Sequence, residues 1–452
     1  MKILLVSHTF LPKYVGGTEV YTCELARELV AQGNEVEILC TDPLSRKKPY
    51  SVTIKKYRGL NINVIEKNIL EYKDFSQTYF DSEVDKIFTS FIDEFQPDII
   101  HYTHLMHLSV NIVAIAAKRN IKQIATLNDF WMQTHLYNRV TTSGELYENY
   151  SQKQDCIELS KQLNSGSKIE TPMDLHQFIR SKDKTSYLKA ICSKLLSRFS
   201  EPITFYLNQN QYQEMIDKRI IKIREMLFKL DLIIFPTVFL YQEFSRWGFQ
   251  AKQVVISEHG IDTSLFKNFK KSASKKIRFA FIGAIVPAKG LDVLLNAWRR
   301  IDPKDAELKI YGNFGLDKKY SRSLKPLLSN LKNVELKGTF SPENIAQVFS
   351  EIDVLVLPSK WFENGPLVLR NSLLGKIPAI VTNLGSNPEY INHRVNGLLF
   401  INGDENDLAS KLEFMINNPD QIKIMAKKID KQKSIKQDAS NLLNNYQNLL
   451  KS

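Results

Sequence analysis

The sequence predicts an α/β protein made of two doubly wound, largely parallel sheets. Three observations carry this. Short apolar runs alternate with helical stretches from the first residues onward. The alternation lapses between about residues 136 and 230, then resumes as a clear second series from Arg278. The chain has 452 residues, too many for one ordinary domain at about 100–200 residues each.

Ile3–Ser7 reads as a buried strand. A loop with Pro12, Gly16 and Gly17 follows, then a helix over Glu19–Gln32 whose apolar face is Val20, Cys23, Leu25, Leu29 and Val30. Gly33 ends that helix and Glu35–Cys40 is a second strand, which completes a βαβ unit. Strand Asp98–His101, helix Ser109–Arg119 and strand Gln123–Leu127 repeat the alternation, which favours a parallel sheet. Residues 136–230 are polar, irregular and then helical, and are read as a helical elaboration of the first domain. Within them, Tyr187–Phe199 is a basic amphipathic stretch with two readings: contact with anionic lipid, or a surface helix packed on its own domain. Strands Asp231–Pro236 and Gln253–Ile256 close the first series. The second comprises Arg278–Ile282, Glu307–Tyr311, Asn333–Leu336, Asp353–Leu357, Ala379–Thr382 and Leu398–Ile401. Lys- and Ser-rich Lys267–Lys276 looks like a linker. The expected domains are therefore 1–250 and 270–430, with a C-terminal helix in 430–452 that can pack back on the first.

Hydrophobic residues make up 43% and charged residues 24%, a globular composition. The net charge of +12 raises the weight of an anionic partner. No nucleic-acid motif accompanies it, so no nucleic-acid partner is expected. Cys23, Cys40, Cys156 and Cys192 are far apart with no C-x-x-C, which fits reduced thiols in a cytoplasmic protein. The apolar start Ile3–Val6 stops too soon for a signal peptide, and no run of about 20 apolar residues exists to span a membrane. Peripheral contact with the inner face of the membrane stays open.

In doubly wound sheets ligands sit at the carboxyl ends of the strands, so the loops there deserve reading. Gly16-Gly17-Thr18-Glu19 opens the first helix. Its glycines let a ligand approach the backbone, although a tight turn capped by Thr18 explains them equally well. Gly283–Gly290 follows a strand and carries Lys289, suited to a diphosphate, although a solvent-exposed lysine before a helix explains it equally well, and the loop is neither a dinucleotide fingerprint nor a P-loop. The strongest is Pro358–Asn371. A strand end is followed by Glu363, then Gly365-Pro366, then a helix, with Pro366 suited to the first helical turn. Helix-start amides beside a carboxylate suit a ligand with both phosphates and hydroxyls, such as a nucleotide sugar. The plain alternative for Glu363 is a carboxylate that complements a helix dipole.

With Gly16–Glu19, His259-Gly260-Ile261-Asp262, Val286–Gly290, Leu336-Lys337-Gly338 and Glu363–Val368 in this order, the chain resembles family 4 of the retaining glycosyltransferases, also known as glycosyl transferases group 1. The resemblance covers nearly the whole chain and is weakest over 136–229. It implies the GT-B fold, two facing Rossmann-like domains, with a nucleotide-sugar donor held mainly by the second. It implies that Gly16 and Gly17 lie near the donor, that Lys289 supports the diphosphate leaving group, and that Glu363 holds sugar hydroxyls, helped by Asn364, Gly365, Leu367 and Val368. The loop at Lys337 and Gly338 would read the base. Asn128, His104 and His8 would line the cleft near the sugar and acceptor. No cofactor or metal is expected, in keeping with the absence of a D-x-D motif. The acceptor would be a saccharide or a lipid-linked sugar in surface polysaccharide or glycoconjugate assembly.

Three positions depart from the family pattern. Asn371 stands where the second acid of E-x7-E is expected, Ala284 where a basic residue is common, and Asn128 where histidine is common. They motivate an alternative: a catalytically degenerate relative that binds a nucleotide sugar, or a partner protein, without transferring. His101, His104 and His107 recur every third residue, a poor metal-ligand spacing for a loop after a strand, and are read as loop residues.

Overall fold

The computed structural model describes residues 1–69, 72, 74–141, 143–164 and 209–451. Cys192 and the Tyr187–Phe199 stretch lie outside the described residues. Two compact units emerge. One comprises Met1–Pro236, Tyr241–Ser257 and Lys436–Ser452, and the other Thr237–Leu240 and Glu258–Ile435.

In the first unit β1 (Lys2–Val6), α1 (Gly17–Ala31) and β2 (Glu35–Asp42) form the opening βαβ unit, with β1 and β2 parallel. Two further elements escape the sequence reading. The first is a hairpin of β3 (Val52–Tyr57) and β4 (Leu60–Glu66), turning at Arg58-Gly59, where both φ angles are positive (50° and 81°). β3 is an exposed edge strand with Lys55 and Lys56, so it shows no apolar run, and it pairs antiparallel in an otherwise parallel sheet. The second is α2 (Ser82–Phe95). It is capped by Asp81, which accepts from the Glu83 and Val84 amides, and buries Val84, Phe88 and Ile92 at four-residue spacing.

β5 (Ile99–Tyr102), α3 (Asn111–Lys118), β6 (Lys122–Thr126), α4 (Gln152–Asn164), α5 (Gln209–Lys229), β7 (Leu232–Phe235), α6 (Val238–Arg246) and β8 (Val254–Ile256) follow. The strand order is β3-β4-β2-β1-β5-β6-β7-β8, so the winding reverses between β1 and β5. The C-terminal helix Ile435–Lys451 is fastened to this unit by buried polar contacts. The Tyr446 hydroxyl lies 2.7 Å from His101 Nδ1, and the Tyr21 hydroxyl donates to Asp438 at 3.0 Å.

The second unit runs β9 (Ile277–Ile282), α7 (Leu291–Arg299), β10 (Ala306–Tyr311), α8 (Lys318–Leu328), β11 (Val334–Gly338), α9 (Ile345–Ser350), β12 (Val354–Leu357), α10 (Leu367–Leu374), β13 (Ala379–Thr382), α11 (Asn387–Tyr390), β14 (Gly397–Phe400), α12 (Glu405–Asn417) and α13 (Pro419–Lys427). All its strand pairs are parallel, in the order β11-β10-β9-β12-β13-β14, and the winding reverses between β9 and β12.

Strand alternation builds a core on each face of this sheet. Phe279, Phe281, Val354 and Val356 pack with Leu294, Trp298, Leu408 and Leu412 of α7 and α12. Ala280, Ile282, Leu355 and Leu357 pack with Phe349, Leu369 and Leu373 of α9 and α10. The expected linker is instead part of this unit. The Ser272 amide donates to Ser350 O at 2.9 Å, and Arg278 and Lys271 both hold Asp353, at 2.9 and 2.5 Å. Burial pushes the Asp353 carboxyl up, but the two cations outweigh it and bring it down to about 2. Composition gave Lys267–Lys276 the look of a tether because its lysines and serines act through ion pairs and backbone contacts rather than through an apolar face.

Candidate active site

In the second unit the winding reverses between β9 and β12, so the loops after these strands stand side by side at a topological switch point. The Lys360 amide donates to Ala288 O at 2.8 Å and ties the two loops together. Gly290 makes this closeness feasible. Its φ is 68°, and a Cβ there would stand 1.8 Å from Pro358 O. Lys360 Nζ also reaches Asp292 at 3.0 Å, and Asp292 accepts from the Tyr320 hydroxyl at 2.6 Å.

Within this frame Lys289 and Glu363 meet directly, Nζ to Oε1 at 2.6 Å. Ser359 Oγ donates to the same oxygen at 2.5 Å and Trp361 Nε1 at 2.8 Å. The Lys289 ammonium also stands 4.7 Å from the centre of the Trp361 ring. Burial pushes the Glu363 carboxyl up, but Lys289, Ser359 and Trp361 outweigh it and hold it below the usual carboxylate range. All three donors converge on Oε1. Oε2 takes no hydrogen bond from the described residues.

The backbone of Glu363 is anchored from the loop after β13. Ser386 donates to Glu363 O through both its amide and its hydroxyl, each at 2.9 Å, and accepts from the Gly365 amide at 2.8 Å. A Cβ on Gly385 would meet Glu363 O at 2.7 Å. Ser359, Trp361, Ser386 and Gly385 were not singled out from the sequence. The first two sit inside the strongest motif, whereas nothing in the sequence ties the last two to it.

The remaining expected residues divide. Gly365 adopts φ 62°, and Asn364 Oδ1 accepts from Thr237 at 2.5 Å. Pro366 is the N-cap of α10 rather than a first-turn residue, so the helix begins at Leu367 and Val368, whose amides have no carbonyl one turn back to bond. Asn371 turns its amide onto Leu367 O at 2.9 Å. Lys337 lies on the exposed edge strand β11 and pairs with Glu335 at 3.0 Å. Gly338 has φ 68°, and its carbonyl accepts from the Gly312 amide at 2.8 Å.

In the first unit the switch point lies between β1 and β5, and the loops there bring His8 and His104 together, ring centres 4.3 Å apart. The Met106 amide donates to His104 Nδ1 at 3.1 Å, which puts the His104 proton on Nε2, 3.0 Å from Asp129 Oδ2. Asp129 is a partner that sequence reasoning missed. His8 is fully buried, and burial, His104 and His107 hold it well below the usual histidine range. Its Nε2 lies 3.2 Å from Glu19 Oε1, an oxygen that accepts from the Thr9 hydroxyl at 2.5 Å.

Glu19 explains Gly16. Gly16 is the N-cap of α1 with ordinary extended φ, and a Cβ there would lie 2.5 Å from Glu19 Oε2. Thr18 is therefore not the cap, and Gly17 is the first helical residue. Asn128 donates to Thr103 O at 2.7 Å. His101 lies on the expected strand Asp98–His101, not in the loop that holds His104 and His107. It is buried on β5 between Tyr446 and Thr126, and its pKa is lowered to about 4 by burial. His107 sits at φ 63°. The three histidines form no metal-ligand group, nor do other His, Cys, Asp or Glu side chains among the described residues. No helix among the described residues is long and apolar enough to cross a membrane.

Comparison with known families decides the kinship. Residues 262–433 match the model of glycosyl transferases group 1, and residues 15–155 match that of glycosyltransferase family 4, together more than half of the chain. The chain belongs to this glycosyltransferase family. An uncharacterized glycosyltransferase of Methanocaldococcus jannaschii is 33% identical over 138 residues, 30% of this chain and 38% of the relative. An amylovoran biosynthesis glycosyltransferase of Erwinia amylovora is 24% identical over 196 residues, 41% of this chain and 48% of the relative. The matched stretches thus span less than half the length of these two curated relatives. Among solved structures, Anabaena HepE in complex with UDP superposes with a TM-score of 0.61 at 15% identity, covering 100% of this chain and 99% of that one. The fold is GT-B, an α/β fold with two parallel-sheet domains.

Proposed function

We propose that this protein is a retaining, metal-independent glycosyltransferase. It moves a sugar from a nucleotide-sugar donor to a saccharide or lipid-linked acceptor in surface polysaccharide or glycoconjugate assembly. The observation that carries this reading is the Lys289–Glu363 pair at the switch point of the second unit, with Glu363 Oε2 left for a ligand. The UDP complex of the Anabaena neighbour favours a nucleoside diphosphate as the ligand class, and the amylovoran relative favours polysaccharide assembly.

In this reading Lys289 exchanges Glu363 for the donor diphosphate and offsets the negative charge that builds on the leaving group. Glu363, freed of that pair and still held by Ser359 and Trp361, accepts hydroxyls of the transferring sugar. The helix-start amides of Leu367 and Val368 add neutral donors, suited to phosphate or hydroxyl oxygen. The backbone around Lys337 and Gly338 reads the base. Gly16 and Gly17 lie near the donor, and His104 and Asn128 serve the sugar and acceptor, with the buried His8 backing His104. The reaction takes place in the cytoplasm, at the inner membrane face for a lipid-linked acceptor, and involves no nucleic acid.

The test is to incubate the protein with UDP-, GDP- and ADP-sugars in EDTA and follow donor consumption and the anomeric configuration of the product by NMR. One nucleotide class should be consumed, undiminished by EDTA, with configuration kept. Inversion, or dependence on a divalent cation, would contradict the proposal. One observation favours a second reading, the degenerate relative: Asn371 spends its amide on Leu367 O rather than presenting a carboxylate. Donor that binds but is consumed only after Asn371→Glu would decide for that reading.

A further inference from the structure

The helix α8 carries Lys318, Lys319, Arg322 and Lys325 and contains no Asp or Glu. Its apolar side is already used, since Tyr320 and Leu324 belong to the core of the second unit. Lys318, Arg322 and Lys325 recur at i, i+4 and i+7, which places them on one helix face. They are exposed and border a groove of about 460 Å³ whose apolar lining includes Phe314, Leu328 and Leu336. None of the three cations has a carboxylate partner among the described residues, and Arg322 Nε donates only to Lys318 O, at 3.1 Å. Leu336, on the edge strand β11, is 52% exposed.

A solvated helix face accounts for exposed lysines. It does not account for a row of uncompensated cations bordering an uncovered apolar groove. Charge alone calls for an anion, and Leu336 with its apolar neighbours calls for an amphiphile. A soluble polyanion would use the cations and leave the leucines wet, whereas an anionic bilayer uses both. We propose that the α8–β11 groove is the surface through which the second unit docks on an anionic membrane. The cations would take lipid phosphates and Leu336 would enter the acyl boundary, while Leu328 and Phe314, half-buried against the core, would line the contact. This deepens the lipid-linked reading of the function, but vesicle binding is measured without donor, so either can fail alone.

The experiment is cosedimentation of the full chain with phosphatidylglycerol–phosphatidylcholine vesicles against phosphatidylcholine vesicles. The variants are Lys318→Gln/Arg322→Gln/Lys325→Gln, Leu336→Asn, and Lys189→Gln/Lys194→Gln/Arg198→Gln in the other basic stretch. Wild type should bind only the anionic vesicles and weaken as salt rises. The α8 triple variant should partition roughly a hundredfold less, with its melting curve unchanged. Leu336→Asn should weaken vesicle binding while leaving binding of inorganic polyphosphate as in wild type. Wild-type binding retained by the α8 triple variant would overturn the proposal, whatever the other basic stretch does. Polyphosphate binding without vesicle binding would overturn it in favour of a soluble polyanion.

Discussion

Glu363→Gln is expected to lower the transfer rate by about a thousandfold, at the upper end of what one positioned electrostatic contact in a water-excluded site supplies. The substitution keeps the shape and an oxygen that can accept from Ser359 and Trp361, so the fold should survive. It removes the charge that lets the side chain compete for sugar hydroxyls. The second consequence is less intuitive. In the free protein Glu363 occupies Lys289 at 2.6 Å, so a diphosphate must displace it. Glu363→Gln should therefore bind nucleoside diphosphate as well as wild type or better while transferring almost nothing. A steady-state assay beside a binding titration checks both. A variant that keeps more than a tenth of wild-type turnover would remove Glu363 from the proposed role.

Gly290→Ala is expected to be the most damaging single-methyl change in the second unit. The added carbon would stand 1.8 Å from Pro358 O, a backbone atom with no freedom to swing away, and the residue would be held at φ 68°. Left-handed backbone alone costs a non-glycine residue about 1 kcal/mol. Parting two packed loops adds a cost like that of overpacking a core, about 1–3 kcal/mol. The sum, about 2–4 kcal/mol, should appear in urea unfolding. Because the contact joins the Lys289 loop to the Glu363 loop, nucleotide affinity should fall with it. Equal stability of the variant and wild type would mean the two loops do not pack as described.

These two positions also show what the sequence made legible. Lys289, Gly290 and Glu363 stand in short loops that follow strong apolar strands, so their place at strand ends could be read before any coordinates. That Lys289 and Glu363 touch could not be, because strand order rather than spacing decides which loops adjoin. Ser386 and Gly385 come from a third loop, 21 residues beyond Gly365 for the Ser386 contact, and carry no chemistry that would single them out. In the first unit His8 and His104 were visible as strand-end residues. Asp129, which orients His104, was hidden because a carboxylate in a loop looks the same whether it holds an imidazole or faces water. For Gly16 the sequence offers ligand approach or a tight turn capped by Thr18; the structure makes Gly16 itself the cap and adds Glu19, whose carboxylate folds back beside it. The β3–β4 hairpin and α2 were missed for a different reason. β3 is an exposed edge strand with lysines where a buried strand would have apolar residues. α2 does carry a legible stripe, Val84, Ile87, Phe88, Phe91, Ile92 and Phe95 at helical spacing behind the Asp81 cap, which the reading of that segment passed over.

The central claim is that the second unit holds a nucleotide-sugar donor through Lys289, with Glu363 competing for the same ammonium. Isothermal titration of UDP, GDP and ADP into wild type, Lys289→Ala and Glu363→Gln tests it most directly. The account predicts that wild type binds one of the three nucleotides, that Lys289→Ala weakens it at least tenfold, and that Glu363→Gln does not weaken it. Binding of none, or binding indifferent to Lys289→Ala, would contradict it.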